Sequence, residues 1–99
     1  MAEKPKTEES IVFIGGKPFM NYVNAVVTQF SIKNSDEVLI KSRGKFISKA
    51  VDVAEVSRKK FLKNLNITVK EMKIDSEEYE TKEGKKIGVS TLDIVLKKN

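Results

Sequence analysis

The chain has 99 residues, 39% hydrophobic and 33% charged, a length and composition typical of one globular domain with a modest core. Its 19 basic and 14 acidic residues leave a net charge of +5, which favours a polyanionic partner. Because it contains no cysteine and no histidine, disulfides, thiolate metal sites and histidine general bases are excluded.

The polar N-terminal segment, residues 1–9, has no apolar periodicity and predicts a flexible tail, so residues 10–99 are expected to form the folded domain. This start lacks the apolar core of a signal peptide, and no run in the chain approaches the ~20 apolar residues of a membrane span. We therefore expect a soluble intracellular protein that does not associate with membranes.

A strand, a helix and a second strand follow. The apolar run 11–14 stops at Gly15-Gly16, which predicts a strand buried on both faces. Pro18 then opens a helix that should end near residues 32–34, because proline is favoured in a first helical turn. The apolar face of this helix comprises Phe19, Tyr22, Val23, Val26 and Phe30. Residues 38–43 predict the second strand, and Gly44 ends it.

The second helix is predicted over about residues 45–62. Its main apolar stripe consists of Ile47, Ala50, Val51, Ala54 and Phe61. Val53 and Val56 add a second apolar line beside it. Together the two lines are more apolar surface than one side of a small sheet needs.

Two long strand patterns, about 66–80 and 86–97, end the chain and predict a hairpin. A three-residue loop, 82–84, with Gly84 in the left-handed conformation aligns their apolar side chains. The predicted pairs are Ile74 with Leu92, Met72 with Ile94, and Tyr79 with Ile87. Both strands switch their apolar face, between 74 and 77 and between 89 and 92. This switch predicts a twist or bulge there and a hairpin tip that projects as an arm towards a partner.

The predicted element order is β-α-β-α-β-β. Strands that alternate with helices require at least one parallel pair, whereas the final hairpin is antiparallel. The predicted fold class is therefore α+β, a two-layer α/β sandwich. It has a mixed four-stranded sheet, two helices on that sheet and a projecting hairpin arm.

Enzymatic chemistry has little support in this sequence. The carboxylates of residues 75–80 cluster on the predicted arm and would be solvated there, whereas catalytic carboxylates usually occupy desolvated pockets. Gly15-Gly16-Lys17 joins a strand to a helix, but it lacks the spacing of nucleotide-binding loops, and a tight turn explains both glycines. We expect no catalytic site, no cofactor, no metal and no small-molecule substrate.

Basic side chains form the most informative pattern. In a βαβ arrangement the loops after the first two strands emerge at the same edge of the sheet, which brings Lys17, Arg43 and Lys45 to one surface. Helix N-terminal N–H groups there also favour the phosphates of a nucleic-acid backbone. The predicted nucleic-acid-binding residues at this edge are Lys17, Lys41, Arg43, Gly44, Lys45 and Lys49. Scattered solubilising lysines would explain the same charges, and charge alone does not separate the two interpretations.

Two further basic clusters have two interpretations each. One cluster lies at the end of the second helix, where cations either stabilise the helix dipole or bind a partner. Its members are Arg58, Lys59, Lys60 and Lys63. The other cluster, at the arm tip, can enter a nucleic-acid groove and consists of Lys82, Lys85 and Lys86. The acids oppose this second role, because residues 75–86 carry three lysines against five acids, a net charge of −2.

Three segments carry a family resemblance: IGGKPFMNYVNAV, then IKSRGKFISKAVDVAEVSRKKFL, and then VSTLDIVLKK. Over about residues 10–98 the chain resembles the Alba family of archaeal-type chromatin proteins. The resemblance implies one Alba-like domain over residues 10–99, with a fold like the C-terminal domain of translation initiation factor 3. It also implies a homodimer that binds double-stranded DNA and RNA with little sequence preference.

By matching positions, the resemblance places Lys17 in the family's Lys-Pro loop and Arg43 and Lys45 in its Arg-Gly-Arg/Lys loop. It implies that the hairpin arms reach along the minor groove and that Phe61 joins dimers side by side on DNA. Gly16 is a departure, because many members have a lysine there that is an acetylation target. This loss and the acidic arm predict weaker binding than in a typical relative, since each missing phosphate contact removes about 0.9 from the salt slope.

The leading interpretation is a non-enzymatic, dimeric chromatin protein, cytoplasmic and chromosome-associated, that contributes to DNA packaging. An RNA-directed or gene-regulatory binding protein stays open, because A-form RNA is also recognised through its shape and backbone. A protein-interaction subunit that uses the apolar second helix and the acidic arm is the remaining alternative.

Overall fold

Four strands form one mixed sheet in the computed structural model, which describes residues 10–99. The strands are β1 (Ile11–Phe13), β2 (Glu37–Arg43), β3 (Ile67–Glu80) and β4 (Lys86–Lys98). They lie in the order β1-β2-β4-β3; β1 and β2 are parallel, and the other neighbouring pairs are antiparallel. This arrangement confirms the predicted α+β class. The tail predicted over residues 1–9 lies outside the described residues.

The first helix, α1 (Phe19–Ser31), has the apolar face that the sequence predicts. Its buried residues are Tyr22, Val23, Val26 and Phe30. The Ile32 N–H donates to the Thr28 carbonyl at 2.9 Å and closes the last turn, so the helix ends where it is predicted to end. Full burial of a side chain such as Phe30 stabilises the fold by roughly 1.5–3 kcal/mol.

The second helix is continuous with two irregular turns. A 3₁₀ turn (Gly44–Phe46) precedes α2 (Ile47–Val56), and a π-helical turn (Ser57–Phe61) follows it. Gly44 has φ +59°, a left-handed conformation that allows the chain to reverse sharply after β2. The predicted extent of about 45–62 is confirmed, whereas the last turn is wider than a regular α-helix.

The apolar stripe of this helix differs from the predicted one. Val53 is fully buried beside Ala50 and Ala54, whereas Val51 and Phe61 are 38% and 52% exposed. A π turn contains more residues than an α turn, so it moves the residues after it out of the 3.6-residue spacing. Leu62, with 3% exposure, takes the buried place that the regular spacing assigns to Phe61.

Both helices pack on one side of the sheet, where the core lies. The sheet contributes to this core Val12, Val38, Ile40, Leu92, Ile94 and Leu96. We call the opposite side the open face; the residues of β2 that point there are only partly buried or exposed. The predicted burial of the first strand on both faces is wrong. Phe13 lies on the open face and is 67% exposed, because no layer within residues 10–99 covers it.

The register of the hairpin is the predicted one. Ile74 pairs with Leu92, Met72 with Ile94, and Tyr79 with Ile87. At the tip, the Gly84 N–H donates to the Thr81 carbonyl at 2.9 Å, and Gly84 has φ +84°. These are the features of a three-residue loop that ends in a left-handed glycine.

The predicted irregularity in the hairpin lies elsewhere. The register shift falls between Val69 and Glu71, and pairing is regular from Glu71 to the tip. Of the twist or bulge predicted between 74 and 77, the bulge is therefore excluded. The hairpin is one regular ribbon, and its apolar side chains change sides along it. Ile74 lies on the helix side, opposite the core residue Leu92, whereas Tyr79 lies on the open face. Because β2 pairs with β4 only as far as Thr91, residues 76–90 pair with one another alone. We call these residues the arm.

Candidate nucleic-acid interface

Lys49 and Tyr22 attach the loop that bears Lys17 to the start of the second helix. The Tyr22 hydroxyl accepts the N–H groups of Gly15 and Lys17, each at 3.0 Å. The Lys49 ammonium donates to the carbonyls of Gly15 and Lys17 at 2.8 and 2.6 Å, and it lies 5.0 Å from the centre of the Tyr22 ring. Two of its three N–H donors are therefore used within the protein. Lys49 positions the loop, and its contact with nucleic acid stays a prediction.

This attachment brings Lys17 and Lys45 to the same edge of the molecule. Lys45 lies one helical turn before Lys49, and its ammonium is 5.4 Å from the centre of the Phe46 ring. Lys17 and Lys45 are exposed, and neither forms an ion pair within residues 10–99. Gly44 lies beside Lys45, and a Cβ added to it would lie 3.6 Å from Val89. Two exposed lysines and a tight turn thus flank the Lys49 attachment.

Lys41 and Arg43 both lie on the open face, as their shared strand parity predicts. Each is paired with an acid of the hairpin: Lys41 with Asp93 of the adjacent strand β4 at 3.2 Å, and Arg43 with Glu77 of β3, across β4, at 3.1 Å. The side chains of Arg43 and Glu77 are 60% and 59% exposed, so solvent screens their attraction. Sequence reasoning missed both pairs, because the partners are distant in the chain and meet only when the sheet forms.

The three lysines of the arm tip form a separate surface. Lys82, Lys85 and Lys86 are exposed at the far end of the arm, and the structure does not bring them to Lys17 and Lys45. The Lys85 N–H donates to the Thr81 hydroxyl at 3.2 Å, which helps to order the tip. The tip therefore offers a second basic contact, separated from the first by acidic residues of the arm.

The basic cluster at the end of the second helix is partly used within the protein. Arg58 and Lys59 both pair with Glu55, and Arg58 also donates to the Ile67 carbonyl at 3.3 Å. The Arg58 hydrogen bond is the main cause that lowers the pKa of Glu55 below its usual value. These contacts favour the structural interpretation for Arg58 and Lys59, since they fasten the helix end to the start of β3.

Two aromatic residues near this edge were not among the predicted site residues. Phe13 and Tyr79 line one groove on the open face, together with Arg43 and Lys45. The pattern that could have found them is their phase: Phe13 alternates with the core residue Val12, and Tyr79 alternates with the stripe of Met72 and Ile74.

Within residues 10–99 no cluster of three potential metal ligands occurs, and no helix is long and apolar enough to span a membrane.

Comparisons with known proteins agree on one family. The model of the Alba family matches residues 10–76. The DNA/RNA-binding protein Alba of Methanothrix thermoacetophila is 52% identical over 91 residues, which covers 92% of this chain and 98% of that protein. The protein of the same name from Methanococcus maripaludis is 46% identical over 88 residues, 89% of this chain and 97% of the relative.

Solved structures show the same architecture. Alba from Thermoplasma volcanium superposes with a TM-score of 0.80 at 46% identity, over 89% of this chain and 99% of that one. ALBA1 from Trypanosoma brucei superposes with a TM-score of 0.68 at 18% identity, over 97% of this chain and 72% of that one. The second likeness concerns the fold alone.

Proposed function

This chain belongs to the Alba family, whose members bind nucleic acids and are not enzymes, and from that premise we propose that it is a dimeric chromatin protein. It binds duplex DNA and RNA through backbone phosphates and contributes to DNA packaging. The observation that carries this proposal is the pair of exposed lysines, Lys17 and Lys45, which the Lys49 attachment holds at one edge. Backbone phosphates need cations without base-reading geometry, and these two exposed lysines supply them.

A homodimer is supported by an apolar stripe on β3. Val69, Met72 and Ile74 point to the helix side of the sheet, because their cross-strand partners Leu96, Ile94 and Leu92 belong to the core. They are nevertheless 38%, 54% and 80% exposed, since neither helix extends over β3. A second copy related by a two-fold axis would cover this stripe. The dimer then presents two arms, which reach along the minor groove.

Contacts between dimers are proposed at Phe61. Its ring is 52% exposed on the π-helical turn, beside the buried Leu62. An exposed ring at the end of the molecule suits a contact with the next dimer along a duplex. Phe61→Ala should leave the dimer intact and reduce clustering on DNA, measured by sedimentation and by electron microscopy of coated plasmid. Clustering equal to that of the parent protein would remove Phe61 from this role.

The affinity for duplex DNA is proposed to be lower than in relatives with a second loop lysine. Gly16 supplies no side chain for a phosphate, and the Arg43 guanidinium is already paired with Glu77. Each lost phosphate contact reduces the salt slope by about 0.9. Binding sufficient for packaging then requires an abundant protein, which acts in the cytoplasm on the chromosome.

The proposal is tested by reversing the charge of the proposed site. The double variant Arg43→Glu, Lys45→Glu should abolish binding to duplex DNA while leaving circular dichroism and sedimentation unchanged. A matched control, Lys33→Glu with Lys63→Glu, makes the same change in net charge on exposed residues at the far ends of the helices. Equal losses in the two double variants would mean that net charge, not this site, holds the DNA.

An RNA-directed, regulatory role is the second candidate, and the acidic arm favours it. Residues 75–86 carry a net charge of −2, from three lysines against five acids, which opposes close contact with a duplex groove. Binding to matched duplex DNA, single-stranded DNA and structured RNA should be compared at two salt concentrations. Tight, salt-steep duplex binding supports packaging, whereas weak duplex binding with a clear preference for RNA supports regulation.

A further inference from the structure

The open face carries a groove that the phosphate contacts leave unused. Its volume is about 660 Å³, and it lies between the end of β1 and the strands of the hairpin. Phe13 lines it on one side and Tyr79 on the other, and these rings are 67% and 46% exposed. The rings come from opposite edges of the sheet, so their presence in one groove is a property of the fold.

Cations surround these rings. Arg43, Lys45 and Lys73 line the same groove. Within residues 10–99, Lys45 and Lys73 form no ion pair, so their ammonium groups can meet an anion without displacing a carboxylate. Exposed rings flanked by cations fit a ligand that combines a flat π-system with negative charge, and a nucleotide has this chemistry.

The accessible ring faces select unpaired bases over paired ones. In a duplex both faces of each base are covered by neighbouring bases, so a protein ring can stack only on a base that has left the stack. Asp75 also lines the groove, and its carboxylate can accept hydrogen bonds from base amino groups. A duplex backbone, in contrast, would gain nothing from the rings.

We propose that Phe13 and Tyr79 form a stacking site for unpaired bases of a single-stranded nucleic acid. This inference rests on the proposed function, because Arg43 and Lys45 hold the phosphates in both cases. Single strands and duplexes therefore compete for the protein, while only single strands use the rings. The bases of RNA and of DNA both present flat faces to an aromatic ring, so both kinds of single strand should bind.

The test compares variants that remove one aromatic ring with a variant that replaces it by another ring. Phe13→Leu and Tyr79→Leu should each weaken binding to an unstructured 12-nucleotide RNA or DNA by about fivefold or more, because stacking on a ring contributes about five- to 150-fold per base. Phe13, which lies outside the arm, supplies the control: Phe13→Leu should change binding to the 12-base-pair duplex less than twofold. Phe13→Tyr keeps a ring and should bind the single strand as the parent protein does. No loss on single strands, or an equal loss on the duplex, would overturn the proposal.

Fluorescence gives an independent readout. The protein has two tyrosines and no tryptophan, and Tyr22 is buried in the loop attachment, so a base that stacks on Tyr79 should quench the emission. Single strands should quench it and the duplex should not; single-strand binding without quenching would remove Tyr79 from the site. If duplex binding depends on Arg43 and Lys45 but Phe13→Leu does not change single-strand binding, the stacking site is refuted and the proposed function stands. If the parent protein binds none of the probes, the proposed function fails.

Discussion

The ion pair between Arg43 and Glu77 leads to a prediction about affinity. The arm carboxylate lies 3.1 Å from the guanidinium, in the position that a phosphate oxygen would occupy on a bound backbone. DNA must displace it before Arg43 can bind a phosphate. Glu77→Gln keeps the size of the side chain and removes its charge, so it should raise the affinity for duplex DNA.

The size of the effect follows from the exposure of the pair. Both side chains are about 60% exposed, at 60% and 59%, so their attraction is worth about 0.2–1 kcal/mol, a factor of roughly 1.5 to 5 in Kd. Freeing one cation for a phosphate should also steepen the salt dependence by about 0.9 in the logarithmic slope. Loss of a negative charge near DNA adds a few tenths of a kcal/mol at about 10 Å, before screening by salt.

A neighbouring residue separates the local effect from the general one. Glu78 is on the opposite side of β3, is exposed and forms no ion pair within residues 10–99, so Glu78→Gln removes the same charge without freeing Arg43. Kd for one duplex should be measured by fluorescence anisotropy between 50 and 300 mM salt, roughly the range over which phosphate contacts weaken. Only Glu77→Gln should change the slope. Equal gains and equal slopes in both variants would refute the competition between Glu77 and phosphate.

Three further predictions concern residues that stabilise the fold. Lys49→Met should destabilise the protein by about 1–2 kcal/mol in urea unfolding, because two hydrogen bonds from a charged group are lost, and should weaken DNA binding as the loop loosens; unchanged stability would contradict the attachment. Phe30→Ala should cost about 3–5 kcal/mol, whereas Ile32→Ala, at an exposed position, should cost little. Because the Arg58 hydrogen bond lowers the pKa of Glu55 below 4.5, its stabilisation is present above that pH and is lost as the pH falls through the lowered pKa. Glu55→Gln should flatten that part of the pH–stability curve, and an unaltered curve would exclude this pair.

The hairpin shows why part of the fold could be predicted. Side chains of a strand alternate with a period of two, so one loop length aligned Ile74 with Leu92 and Tyr79 with Ile87, and another would have misaligned every pair. The apolar face of α1 could be predicted from the sequence for the same reason. In both cases the information is local, since neighbours along the chain determine which side of the element is apolar.

Features that depend on distant neighbours could not be predicted in the same way. The run 11–14 is apolar in every position. Its residues do not reveal that no layer covers the open face and that Phe13 is therefore exposed. The pairing of Arg43 with Glu77 needs the final register of three strands. The position of Lys49 near the helix start was predictable, but the carbonyls that meet its ammonium belong to a loop on another element. The sequence could therefore predict that the Lys17 loop and the start of the second helix lie together, whereas the contacts of each side chain could not be predicted.

The π-helical turn gives the end of the second helix a shift of phase. Its extra backbone exchanges two adjacent side chains, so that the leucine points inward and the aromatic ring points to solvent. The exposure of an aromatic ring at this end is therefore a property of backbone winding, because the same residues in a regular α-helix would bury the ring. A change in helical winding that leaves composition and charge unchanged thus decides which of two apolar side chains is exposed to solvent.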